Sequence, residues 1–274
     1  GHGAPVGLRV SGAAPGPDRG YVLHSYPYRE TSLLLQLWTE RHGRFAAIAK
    51  GARRPKSAAR GVLVPFQPLA LSWFGRGEVK TLKSAEPAGP ALPLAGPSLL
   101  SAFYLNELLL KLIHRDDPHE TLWAAYDEAV AGLRERSRRA AGVPGLVAAE
   151  PGVGEARAIE PVLRRFELAL LRELGYAAQL GRDAAGGDAI DPDREYWYVL
   201  ERGPVLATGT AERADAVRLS GLTLVHLERG QFDDARTAGE AKSLMRMLIH
   251  HCLAGQELAT RAIVRDLKSL EDAA

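Results

Sequence analysis

The run Ser32-Leu33-Leu34-Leu35-Gln36-Leu37-Trp38-Thr39 is followed by Glu40-Arg41-His42-Gly43 and then by Arg44-Phe45-Ala46-Ala47-Ile48-Ala49-Lys50. Two β-rich runs around a His-Gly turn signal predict a hairpin, because glycine supplies the backbone freedom that a tight reversal needs. Working outward, Tyr21 to Ser25 predicts a strand ahead of this pair. Phe66 to Phe74 and Glu78 to Ser84 predict a second hairpin around Gly75-Arg76-Gly77. About five short strands at this spacing fit a small antiparallel barrel. An OB-fold and an SH3-like barrel share that pattern; the first commonly carries single-stranded nucleic acid on its strand face and loops.

Beyond the barrel, Pro87 to Pro97 turns to Pro, Gly, Ala and Leu and reads as a linker. The apolar period then becomes helical. Helices are expected from about Pro97 to His114, from Pro118 to about Arg136, and from Ile159 to Leu174, where Gly175 supplies a stop. Ala140 to Gly154 reads as a loop. Ala177 to Thr210 reads as an irregular insertion, with a hairpin pairing Glu195–Leu200 with Val205–Thr208. Helical pattern returns at Ser220 to Arg229, Ala235 to Leu253 and Thr260 to Leu270. The fold class is therefore α+β and multidomain: a flexible lead at 1–17, a barrel at 18–86, a linker at 87–97, and a helical domain at 98–274 interrupted at about 177–210.

The chain has 274 residues, 46% of them hydrophobic, enough to bury a sizeable core. A formal charge of +2 is close to balance, so attraction for a polyanion depends on where the charges sit. Cys252 is the only cysteine, which excludes an internal disulfide and a thiolate zinc cluster and fits a reducing cytoplasm. Apolar runs such as Leu108 to Leu110 fall far short of the roughly 20 residues needed to span a bilayer. Gly1 to Gly7 lacks both the basic start and the apolar stretch of a signal peptide.

Charge is placed unevenly. Arg41, Arg44, Lys50, Arg53, Arg54, Lys56 and Arg60 share a stretch that contains no acid. Surface charge kept for solubility mixes signs, whereas a field of one sign suits a polyanion. Guanidinium and ammonium groups splayed from a Lys50-Gly51-Ala52-Arg53-Arg54-Pro55-Lys56 turn suit phosphate contacts. Arg76 and Lys80, from the last hairpin, are expected to extend the same surface. Among Tyr26, Tyr28, Phe45, Phe66, Trp73 and Phe74, those not needed for the core are candidates for base stacking.

Three stretches carry a family resemblance: Val22-Leu23-His24-Ser25-Tyr26-Pro27-Tyr28-Arg29-Glu30-Thr31-Ser32, Thr39-Glu40-Arg41-His42-Gly43-Arg44 and Lys50-Gly51-Ala52-Arg53-Arg54-Pro55-Lys56-Ser57. Together they resemble the N-terminal domain of the RecO family of bacterial recombination mediators. Pro65-Phe66-Gln67-Pro68-Leu69 and Gly75-Arg76-Gly77-Glu78-Val79-Lys80-Thr81-Leu82 continue the match, with weaker echoes in Leu174-Gly175-Tyr176 and His250-His251-Cys252-Leu253. The resemblance implies an OB-fold followed by a helical domain and a non-enzymatic role in RecF-pathway repair. It further implies binding to single- and double-stranded DNA, strand annealing, and partnership with RecR, RecA, RecF and the acidic C-terminal tail of single-strand-binding protein. The setting implied is cytoplasmic and nucleoid-associated. Some RecO-like proteins carry two CxxC pairs in the insertion; Ala177 to Thr210 has no cysteine, so packing around Tyr196, Trp197 and Tyr198 is expected to hold the hairpin.

Other candidates are weaker. His250, His251 and Cys252 are consecutive and would point in different directions on a helix, so no metal site is expected. Asp116-Asp117, Asp191 with Asp193, and Asp233-Asp234 sit at turns or helix starts, where capping explains them. No GxxxxGK segment or nucleophile elbow occurs, and no catalytic residue or cofactor is expected. Arg134, Arg136, Arg138 and Arg139 form a second basic cluster at a helix end, suited to the helix dipole or to an auxiliary DNA or acidic-peptide contact. A protein-interaction scaffold and an RNA-binding OB module are the alternative functional readings.

Overall fold

Five strands close into a barrel in the computed structural model, which describes residues 16–90, 93–141, 153–176, 180–208 and 216–271. They are β1 (Asp18–Tyr28), β2 (Ser32–Thr39), β3 (Gly43–Ala49), β4 (Leu69–Phe74) and β5 (Val79–Pro87), hydrogen-bonded in the order β1-β2-β3-β5-β4. Asp18–Gly20 closes the ring against Leu69–Leu71. β5 returns to lie parallel to β3, with Val79, Lys80 and Thr81 opposite Ala46, Ala47 and Ile48. This Greek-key return gives the barrel its OB-like form.

Inside the barrel, Val22, Leu35, Leu37, Phe45, Ala47, Leu69 and Leu71 are buried together. The outward side of β2 is also covered: Trp38 is 0% exposed and Gln36 7%. Burial on both faces explains why β2 reads as a nearly continuous apolar run rather than a clean alternation. Helices provide the cover. α1 (Gly96–Leu112), α2 (Glu120–Ala141) and α3 (Val153–Glu173) pack into a cluster that also takes Tyr21, Leu23, Trp38 and Phe66 from the barrel side.

The junction is specific as well as apolar. Asn106, 2% exposed, donates from Nδ2 to the Leu23 carbonyl at 2.8 Å and accepts from the Tyr126 hydroxyl at 2.6 Å. The Tyr21 hydroxyl donates to Asp127, and burial together with that carboxylate pushes the Tyr21 pKa up. Gly43 has φ +67°, and a Cβ placed there would stand 2.0 Å from the Asp117 carbonyl oxygen. The hairpin turn and the approach to α2 therefore meet at a point that only glycine fits.

Among the described residues, the remainder holds a three-stranded sheet and three helices. β6 (Glu195–Val199) lies between β7 (Gly203–Leu206) and β8 (Ala216–Ser220), followed by α4 (Gly221–Glu228), α5 (Ala235–Cys252) and α6 (Ala259–Glu271). Tyr196 and Tyr198 bury one face of β6 at 3% and 5% exposure, so packing does hold the hairpin, with Trp197 half-buried on the other face.

Several boundaries differ from the sequence reading. β4 starts at Leu69 rather than Phe66: Phe66 has φ +67°, and Gln67 Nε2 donates to the Pro68 and Gly89 carbonyls instead of the chain entering a ladder there. β8 went unpredicted because Ala216–Ser220 is short and abuts a helix; Ser220 ends the strand and caps α4, accepting from the Thr223 amide at 3.1 Å. α3 begins at Val153, and the rest of the loop expected over Ala140–Gly154, residues 142–152, lies outside the described residues, as do 1–15 of the expected lead, 91–92 of the linker, and 177–179 and 209–210 of the insertion.

Candidate nucleic-acid interface

The basic turn leaves the end of β3 and is folded by its own backbone. Gly51 has φ +68°, the Arg54 amide donates to Gly51 at 3.1 Å, and the Ser57 amide donates to Arg54 at 3.0 Å. A short 3-10 helix follows at Ala58–Gly61. Ala52, 1% exposed, plugs into the barrel core, so the turn cannot swing free while its neighbours point outward. The Arg53 amide donates to the Thr31 carbonyl at 2.8 Å, and its Nη1 reaches the Arg29 and Glu30 carbonyls at 3.3 and 3.4 Å. The turn is thereby tied to the β1–β2 reversal.

Lys50, Arg53, Arg54, Lys56 and Arg60 are all exposed, and among the described residues none forms an ion pair. Five cations without counter-charges on one tethered segment make an anion-seeking rim. Arg29, exposed at φ +51° with its guanidinium 5.3 Å from the Tyr28 ring, joins that rim. The sequence reading passed over Arg29 because a single arginine between two strands carries no run of charge; the tether to Arg53 is what brings it in.

The fold gives Arg41, Arg44 and Lys80 internal partners. Arg41 donates from Nε to Asp18 at 3.2 Å and from Nη2 to the Gly16 and Pro17 carbonyls. Arg44 holds the Ile113 carbonyl with Nε and Nη2 at 3.0 and 2.8 Å, and burial lowers its pKa. Lys80 pairs with Asp116 at 2.6 Å, its ammonium 4.9 Å from the Phe45 ring centre. Arg76 is exposed on the β4–β5 turn. Because β5 runs parallel to β3, that turn faces the start of β3, whereas Lys50 follows its end. At ~3.3 Å per residue, Arg76 and Lys50 are separated by roughly 20 Å along the strand direction. Distance thus separates Arg76 from the Lys50–Arg60 rim, while Lys80, opposite Ala47, is withheld from it by its ion pair with Asp116.

Beside the rim, Tyr26, Leu34, Ile48 and Thr81 are successive partners across β1, β2, β3 and β5 and share one outer face. Tyr26 is 47% exposed, with the His24 ring centred 4.3 Å away. Of the other aromatic candidates, Phe45 and Phe66 are buried, Trp73 packs on Phe45, and Phe74 is exposed at the opposite end. The helices cover the outer face around Trp38 and leave the row around Tyr26 open, directly next to the unpaired cations.

Elsewhere the sequence candidates resolve into structural contacts. Arg136 donates to the Ala158 and Gly132 carbonyls, and Arg138 and Arg139 both bind Glu135, which their hydrogen bonds hold down to a pKa of about 2. Arg134 is 8% exposed and lies within the helical cluster. Asp234 caps α5 by accepting from the Thr237 amide at 2.7 Å, and Asp191 accepts from the Asp193 amide in a local turn. His251 contacts Glu201 and Tyr176, and burial pushes the Cys252 thiol up to about 11, away from a reactive thiolate.

An OB-like barrel with a one-sign rim, docked on a helical domain that carries a small sheet, defines a class of barrel-plus-helix binding proteins. Residues 17–91 match the family described as Recombination protein O N terminal, and residues 153–261 match Recombination protein O C terminal. The chain belongs to the RecO family. It is 43% identical over 250 residues to DNA repair protein RecO of Aromatoleum aromaticum, covering 91% of this chain and 95% of that protein. It is 44% identical over 251 residues to the RecO of an Azoarcus species, with the same shares covered. The RecO of Ralstonia nicotianae is 47% identical over 250 residues, 91% of this chain and 84% of that protein.

Proposed function

We propose that this protein is a non-enzymatic DNA-binding and strand-annealing protein of recombinational repair, acting in the RecF pathway to help RecA load onto DNA covered by single-strand-binding protein. The observation that carries the reading is the rim of Lys50, Arg53, Arg54, Lys56 and Arg60, exposed, free of ion pairs among the described residues and fixed beside the open Tyr26 row. The cations neutralise phosphates along a strand while bases lie against the Tyr26–Leu34–Ile48 face. Neither interaction reads sequence, which suits a protein that must act on any strand and present it for pairing. Among the partners that family membership suggests are RecR, RecF and the acidic tail of single-strand-binding protein. The setting is the cytoplasm, at the nucleoid.

Salt dependence tests this directly. Each phosphate neutralised on a single strand contributes a slope of roughly 0.7 in log affinity against log salt, so Arg53→Ala, Arg54→Ala, Lys56→Ala together should reduce the slope by up to roughly 2. Annealing of complementary oligonucleotides, bare or coated with single-strand-binding protein, should slow in the same variant. An unchanged slope and affinity would remove this rim from the DNA interface.

A further inference from the structure

A cavity of about 310 Å³ opens where the barrel meets α1 and α2. Its walls include Pro65, Phe66, Leu99 and Phe103, and its polar groups are Gln67 and Arg134. Arg134 is 8% exposed, its Nε is buried without a hydrogen-bond partner, and it forms no ion pair among the described residues. The nearby carboxylate, Asp127, is taken by the Tyr21 hydroxyl and by Arg19. That Nε is closed to solvent, but the guanidinium as a whole is a charge held in a mostly apolar wall, and a ligand that accepts from it in the cavity offsets the cost of burying it. Phe66 adds a second observation: an aromatic residue at φ +67° is a strained backbone state, held while its ring meets Phe103 edge-on at 5.0 Å.

We propose that this cavity receives one unstacked nucleobase of a bound single strand, against Phe103 and with its carbonyl or ring-nitrogen edge accepting from Arg134. The proposal rests on the DNA-binding reading above and extends it to a second place on the molecule. Chain continuity supports it, because the wall at Pro65–Gln67 directly follows the segment that carries the cationic rim. Size supports it too: the space holds a ring system and excludes a helix. The polar inventory agrees. Arg134 only donates, while Gln67 uses its amide nitrogen on the Pro68 and Gly89 carbonyls and leaves Oε1 as an acceptor. A base brings acceptors and donors along one edge, matching that pair, whereas an extended peptide brings an N–H and a carbonyl at every residue to walls that are mostly apolar. Phe103, 38% exposed, supplies the ring face on which a base packs.

The test compares oligothymidylate with an abasic oligonucleotide of equal length, using the full chain. Phe103→Ala removes the ring, and Leu99→Trp fills the cavity, with circular dichroism to verify that each variant folds. Stacking of one base corresponds to roughly 5- to 150-fold in affinity, so both variants should lose at least about fivefold for oligothymidylate. Their affinity for the abasic strand and their salt slope should stay at the wild-type values. Wild-type affinity for oligothymidylate in both variants, with the slope still lost in the Arg53/Arg54/Lys56 variant, overturns the cavity assignment and leaves the DNA-binding reading standing. Loss of neither property in any variant overturns both. A Phe-ended acidic peptide that binds wild type but not Leu99→Trp, while oligothymidylate binding is unaffected, overturns the base in favour of a protein ligand.

Discussion

Arg44 and Arg53 carry the same charge in the same acid-free run, yet the fold gives them different work. Arg44 spends its guanidinium on the Ile113 carbonyl and ties the barrel to the end of α1. Arg44→Ala should therefore lower stability by about 1.5–3 kcal/mol in urea titration, the range for hydrogen bonds to a charged group, and leave the salt slope of DNA binding intact. Arg53, exposed and tied through its backbone, should show the reverse pattern. Asn106 is a stricter case. Asn106→Ala orphans both the Leu23 carbonyl and the Tyr126 hydroxyl in a buried junction, at about 1–3 kcal/mol for each unsatisfied group. Chemical denaturation should report a loss well above that for Arg44→Ala.

At the scale of elements, caps and turns show which parts of the fold were legible in the sequence. The two barrel hairpins were readable from His42-Gly43 and Gly75-Arg76-Gly77, and the end of α3 from Gly175, which takes φ +79° while the Tyr176 amide returns to Leu171. β8 was not, since Ala216–Ser220 draws its strand character from pairing with β6 rather than from its own composition. In the candidate site, the charge run marked the rim, but which cations stay free depends on long-range partners such as Asp18, Ile113 and Asp116, which no local pattern reveals. Gly43→Ala should destabilise by at least about 1 kcal/mol from its left-handed backbone alone, and more from the clash with Asp117; thermal unfolding measures it. The Asp234 cap adds a pH dependence. Hydrogen bonds from Thr237 lower its pKa, so its contribution is present above the ordinary carboxylate pKa and is lost as pH falls through the depressed value. The difference in melting temperature between wild type and Asp234→Ala should accordingly shrink in acid.

For the whole molecule, Tyr21, Leu23, Trp38 and Phe66 share one buried cluster with α1 to α3, so the barrel and these helices should unfold as one cooperative unit. Tryptophan fluorescence and far-ultraviolet circular dichroism should give coincident unfolding curves; two separated transitions would contradict the common core. A fragment of residues 16–90 should bind a hydrophobic dye that the full chain ignores, because it uncovers the outer face of β2. The same junction sets an order of events during synthesis. The barrel ring can close once Pro87 has left the ribosome, since β5 is its last strand. Trp38 and Tyr21 nevertheless stay wet until Asn106, Trp123 and Tyr126 emerge. For the interval between those two lengths, the nascent chain carries a finished cationic rim above an unfinished apolar underside.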